Sequence, residues 1–139
     1  MFKQWEQAPR GTQLSLDEVL SELKTNEDGL IPAIAQQYDT GEVLMMAWMN
    51  RASIEETLVQ GQVCYWSRSR QTYWRKGESS GHRQRLISMK LDCDGDTLLL
   101  QVDQQGPACH TNRRDCFFYE LTPEGVTLTT DPNSGLPSI

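Results

Sequence analysis

The chain lacks any apolar run approaching the ~20 residues a membrane span requires, and its opening stretch, MFKQWEQAPRG, has no apolar signal-peptide segment. A soluble, cytoplasmic protein with no membrane partner is the expectation. Repeats and linker-like stretches are also missing, so residues 1–139 read as one domain, long enough to bury a core without disulfide staples. Cysteine is scarce, at four residues. Without a signal peptide a reducing compartment follows, and metal binding or burial accounts for the thiols better than two disulfides. None of the cysteines forms the paired CxxC knuckle of a structural zinc ribbon, and neither a P-loop nor a dinucleotide fingerprint is present.

Net charge is −6, which argues against nonspecific binding of nucleic acid or an anionic membrane. The distribution is uneven. Residues 62–91 hold seven basic side chains (Arg68, Arg70, Arg75, Lys76, Arg83, Arg85 and Lys90) against one acid, Glu78, so a +6 island sits in a remainder of −12. Such an island suits a small anionic ligand held at one place; the competing account is a solvated strand face guarding a sheet edge.

The pattern of elements predicts an α+β fold with two helices and a mostly antiparallel sheet. In SLDEVLSELK, Leu16, Val19, Leu20 and Leu23 follow helical spacing, and Ser15 with Glu18 makes a capping box. LIPAIAQQYDTGEVLMMAWMN reads as a hairpin turning at residues 39–42, with Met45, Met46 and Trp48 in the core. Asn50 caps a second helix, RASIEETLVQ, which Gly61 ends. VCYWSRSRQTYWRK is a pair of short strands, GESSGHRQ a loop, and LISMKLDCDGDTLLLQVDQ a hairpin with a two-residue turn at Asp94-Gly95. GPACHTNRRDC is a loop before a last strand, FFYEL; the polar tail, residues 122–139, is expected to fray.

The chemistry concentrates in residues 91–116, which hold three cysteines and three near-alternate aspartates. Thiolates suit zinc and clustered carboxylates suit magnesium. Cys93, Cys109 and Cys116 supply three thiolates, the donor count of a catalytic zinc that keeps one position for water; Cys64, in an apolar strand, is either a fourth ligand or a buried small hydrophobe. His110 follows Cys109 too closely to converge easily on the same ion, and so is either a proton carrier beside it or an ordinary loop histidine. Asp92, Asp94 and Asp96 share a face in extended chain while Cys93 points to the other, so one segment serves a hard and a soft site, unless the carboxylates only make the turn.

Trp66 and Trp74, with Tyr65 and Tyr73, are paired with Arg68, Arg70, Arg75 and Lys76 in the same strands. Rings stack bases and guanidinium groups grip phosphate, which fits a nucleotide or, alternatively, single-stranded nucleic acid on a zinc-stabilised module. Ser79, Ser80, Gly81 and His82, in KGESSGH, add a weak phosphate-cradle signal.

Together YWSRSRQTYWRKGESSGHRQ, DCDGD, GPACHT and DCFF, over roughly residues 30–120, resemble the phosphoribosyl-AMP cyclohydrolases of histidine biosynthesis. The resemblance implies hydrolytic opening of the adenine ring of a nucleotide substrate, zinc on Cys93, Cys109 and Cys116, and magnesium on Asp92, Asp94 and Asp96. It also implies an intertwined homodimer whose zinc ligands come from both chains, in a monofunctional form without the fused pyrophosphohydrolase domain of some relatives. Nothing carries over to the N-terminal helix or the tail.

Overall fold

Alternation of side chains builds the centre of the molecule. The computed structural model describes residues 2–137. In β1 (Ile31–Gln37) and β6 (Leu98–Gln104) every second residue is buried, and the two strands lie parallel, Ala33 opposite Leu98 through Gln37 opposite Val102. Around this pair the order is β4-β3-β2-β1-β6-β5, every other neighbour being antiparallel: β2 is Val43–Met49, β3 Cys64–Ser67, β4 Thr72–Arg75 and β5 Gln84–Leu91. The sheet curls until its ends approach. Val63 N–H donates to Gln84 O (3.0 Å) and Leu86 N–H to Gly61 O (2.8 Å), joining the chain before β3 to β5. The α+β, mostly antiparallel single-domain expectation therefore holds, with one parallel pair the local patterns did not reveal.

Ile31, Ala33, Leu44, Met49, Ile54, Leu100 and Val102 fill the curl and are essentially inaccessible. Each large aliphatic side chain so buried contributes about 1.5–3 kcal/mol. β2 departs from strict alternation because register slips between Ala35 and Gln36, so that Leu44 has no opposite number. This bulge buries both Leu44 and Met45 and leaves the Leu44 carbonyl free of the β1 ladder.

Helix α3 (Arg51–Gln60) begins at Asn50, whose side chain accepts from Ser53 N–H (2.9 Å) while the Ser53 hydroxyl accepts from Asn50 N–H (2.9 Å). It ends at Gly61, which takes the left-handed conformation that glycine adopts without penalty. Thr57, buried, accepts from Cys64 N–H at 3.0 Å and ties this helix to β3.

Three helices are present among the described residues, not two. A single turn, α1 (Phe2–Trp5), precedes the expected helix, and α2 spans only Leu16–Ser21. α2 stops early because Lys24 N–H donates to Gly95 O (2.9 Å), which draws the chain off its helical path toward the β5–β6 hairpin. Leu20 and Leu23 still pack on the core, whereas Leu16 is exposed. The tail is also ordered: β7 (Tyr119–Thr122) and β8 (Gly125–Leu128) form a separate ribbon, and the following residues return to the 107–116 loop. A local hairpin, followed by backbone bonds from Asn133 and Gly135 to the distant Thr111 and Asn112 carbonyls, overrides the fraying expected from a polar composition. Residues 138–139 of the tail lie outside the described part. No helix among the described residues is long and apolar enough to cross a membrane.

Candidate active site

A cleft of about 590 Å³ opens where β4 and the loop after it face the 107–116 loop. Cys109, His110 and Cys116 of that loop line it, with Arg70 and Trp74 from the strands and Lys76, which bonds to the loop itself. Ser79, Ser80 and His82 close its rim. The sequence thus brought most of the expected residues to one place. Gly81 belongs to the rim loop without lining the cleft, and Cys93, Trp66, Arg68 and the three aspartates do not line it either.

The cysteine loop is held from several directions. Ala108 N–H donates to Arg114 O (3.0 Å) and Cys109 N–H to Arg113 O (3.2 Å), which closes the loop on itself. Cys116 N–H donates to the carbonyl that the β2 bulge leaves at Leu44 (2.8 Å), so the irregularity in the sheet fixes a thiol. Lys76, half-buried, donates from Nζ to Ala108 O at 2.6 Å with its ammonium over the Trp74 ring. Burial lowers its pKa, and the adjacent Cys116 and Cys109 act in the opposite sense. Arg114 reaches Gln104 O and Gly106 O (3.2 and 3.0 Å) and lies 3.4 Å from Glu42. Arg113 is buried, stacked 3.7 Å from the Phe118 ring centre. The roles of Lys76, Arg113 and Arg114 as loop anchors were not legible in the sequence, since each acts on a carbonyl or ring that no local spacing rule pairs with it.

The two thiols differ. Burial, with Cys109 beside it, pushes the Cys116 thiol up to about 12. Burial raises Cys109 as well, but hydrogen bonds from Thr111 and Cys116 outweigh it and the net direction is down; the Thr111 hydroxyl lies 3.0 Å from Cys109 Sγ. Cys64 is fully buried under α3, and burial with Glu56 nearby raises it to about 12. It lines neither the cleft nor a cluster of other donors, which favours its reading as a small core residue.

Asp92, Asp94 and Asp96 offer ligand atoms within 4.8 Å of one another, and among the described residues no other three His, Cys, Asp or Glu side chains converge so closely. Their route to convergence differs from the one expected. The segment is a turn with four residues between Asp92 and Thr97, not a two-residue turn: Asp92 N–H donates to Thr97 O (3.0 Å), and Gly95, left-handed at φ 74°, bends the chain back. Asp92 Oδ1 accepts from Asp96 N–H (3.0 Å), and that backbone bond holds its pKa down. Asp96, sharing a hydrogen bond with the Asp92 carboxylate, is pushed up. Crowded carboxylates of this kind fit a hard divalent cation. Phe2 of α1 covers Gly95 so closely that a Cβ there would lie 2.3 Å from its ring.

The basic strands are more occupied than their composition suggests. Arg75 forms a two-pronged pair with Glu56 of α3 (2.9 and 2.8 Å). Arg68 lies 4.7 Å over the Trp48 ring, and Trp66 packs edge-on to Tyr73. Arg70 lines the cleft without an ion-pair partner among the described residues. His82 packs on Gly106, and Ser80 accepts from His82 N–H at 3.2 Å, which folds the rim loop back on itself.

Residues 45–118, which run from within β2 past the end of the cysteine loop, match the family model described as phosphoribosyl-AMP cyclohydrolase. A protein of that name from Alkalilimnicola ehrlichii is 61% identical over 132 residues, covering 95% of this chain and 93% of its own. One from Chromohalobacter salexigens is 61% identical over 131 residues, covering 94% and 90%. A third, from Acidiphilium cryptum, is 68% identical over 108 residues, 78% of this chain and 93% of its own length. With the site motifs inside the matched region and identity sustained along nearly the whole sequence, the chain belongs to the phosphoribosyl-AMP cyclohydrolase family.

Proposed function

We propose that this protein is a cytoplasmic enzyme of histidine biosynthesis that opens the adenine ring of 1-(5-phosphoribosyl)-AMP by hydrolysis of N1–C6, residues 1–139 forming one catalytic domain. The observation that carries the reading is the cleft of about 590 Å³, which Cys109, His110 and Cys116 line together with Arg70, Ser79 and Ser80. Cys109 and Cys116 would hold zinc, with Cys93 as third ligand; Asp92, Asp94 and Asp96 would hold magnesium. Zinc supplies Lewis acidity that makes water nucleophilic near neutral pH.

The chain's own residues do the rest. His110, exposed beside Cys109, takes the proton of the attacking water and returns it to N1 as that nitrogen leaves. One O–C6 bond forms, N1–C6 breaks, and C6 becomes a carboxamide carbon, giving the formimino-aminoimidazole carboxamide ribonucleotide. Arg70, the hydroxyls of Ser79 and Ser80 and the ring of Trp74 hold phosphate and base so that C6 faces the thiol side of the cleft. The aromatic strands pack their rings on one another and commit Arg75 to Glu56, which favours this small-molecule reading over single-stranded nucleic acid.

The third thiol points to a homodimer. Cys93 is exposed on the carboxylate hairpin and lines no part of the cleft, so a three-thiolate site calls for Cys93 from a second copy of the chain. The β7–β8 ribbon offers a surface for such a copy. Tyr119 opposite Leu128 and Leu121 opposite Val126 make an apolar face, each residue more than half exposed. The test is to add phosphoribosyl-AMP to metal-loaded protein and follow the ultraviolet change of ring opening; no zinc-dependent change overturns the proposal.

A further inference from the structure

The tip of the cysteine loop is gripped by a segment outside the region matched by the family model. After β8 the chain crosses back so that Asn133 N–H donates to Thr111 O (3.0 Å) and Gly135 N–H to Asn112 O (2.8 Å). Asn112 Nδ2 donates to Asn133 Oδ1 at 3.0 Å, and the buried Arg113 donates from Nε to Thr130 O at 3.1 Å. Three consecutive loop residues, 111–113, are therefore each bonded to residues 130–135. The join is close. A Cβ on Gly135 would lie 2.6 Å from Arg114 N and 2.9 Å from Asn112 O. Asn112 and Asn133 both sit in the left-handed region, at φ 62° and 65°, which asparagine tolerates better than other residues with a side chain. The pair is thus specified by residue type at both ends.

We propose that residues 130–135 are a latch, with Asn133 and Gly135 as positioning residues that fix Cys109 relative to Cys116 before metal enters. The loop's own closure bonds, at Ala108–Arg114 and Cys109–Arg113, fix its stem, and the Thr111 hydroxyl that lies 3.0 Å from Cys109 Sγ belongs to the tip. Releasing the tip frees Thr111 and with it the orientation of the Cys109 thiol. Preorganisation of this kind appears as metal affinity, because an ordered donor set forfeits less conformational entropy on binding. The proposal rests on the reading of Cys109 and Cys116 as zinc ligands.

The experiment compares the full-length protein with Gly135→Val, Asn133→Ala and the conservative Asn133→Asp, which keeps an acceptor for Asn112. Amide hydrogen exchange on the metal-free protein and cobalt affinity by chelator competition are measured for each. Gly135→Val and Asn133→Ala should speed exchange of the 108–114 amides and weaken cobalt binding at least tenfold, with the visible cobalt–thiolate bands altered. Magnesium affinity at the 92–96 turn should be unchanged, and Asn133→Asp should be near wild type. Faster loop exchange with unaltered cobalt affinity overturns the positioning role. So does equal loosening of the 92–96 turn, which marks general destabilisation. Should Cys109→Ser bind cobalt like the wild type, the ligand assignment fails, and exchange alone would then still show whether the latch holds the loop.

Discussion

The carboxylate turn and the cysteine loop are built on opposite plans. Residues 92–96 converge within five consecutive positions, with backbone N–H groups and one left-handed glycine bringing three side chains together on an exposed hairpin. The loop at 109–116 draws its shape from a bulge in β2, a lysine after β4, the chain beyond β6 and the returning tail. It nevertheless presents two thiols where three are expected. A carboxylate cluster can thus be written locally in one chain, whereas the thiol loop depends on distant packing and, for the zinc site we propose, on a second chain.

The contrast can be broken most sharply at the thiols. Cys109→Ser or Cys116→Ser should eliminate both bound zinc and turnover, measured by metal analysis and the ultraviolet assay, while magnesium binding persists. Zinc retained with normal turnover would show the ligand set to be wrong. A smaller loss is expected for His110→Ala: kcat falls by about 10²- to 10⁴-fold with zinc content intact. Loss of metal in that variant would make His110 a ligand.

On the hard side the effect is milder. Asp94→Asn should raise the magnesium concentration for half-maximal activity roughly tenfold, one ligand charge having been lost, with zinc unaffected. An unmoved magnesium titration would return the aspartates to turn structure. The smallest contrast lies within the basic island: Arg70→Ala should raise KM about tenfold in a salt-sensitive way, whereas Arg75→Ala, its guanidinium already engaged by Glu56, should move KM less than twofold. Equal effects would mean that Arg75 leaves Glu56 when substrate binds.

Local signals were legible and long-range ones were not. The Asn50 cap and Gly61 stop announced α3, and the alternation in residues 31–37 and 98–104 announced two strands. Nothing local declares that those strands run parallel side by side, or that Leu44 bulges to receive Cys116 N–H. The tail misleads for the same reason. Its polarity suggests fraying, while the Asp-Pro-Asn-Ser-Gly run at 131–135 is a turn signal whose meaning depends on the loop it meets. At the site, the motifs bring His110, Cys109 and Cys116 into view, but composition cannot show that Glu56 pairs with Arg75 or that Arg68 lies over the Trp48 ring.

The central claim, that the soft site is complete only across two chains, is tested most directly by refolding an equal mixture of Cys93→Ser and His110→Ala proteins. Each alone should be nearly inactive. In mixed dimers one site carries both lesions and the other neither, so random exchange should restore about a quarter of wild-type activity. A mixture no more active than the mean of the separately refolded mutants would contradict the account.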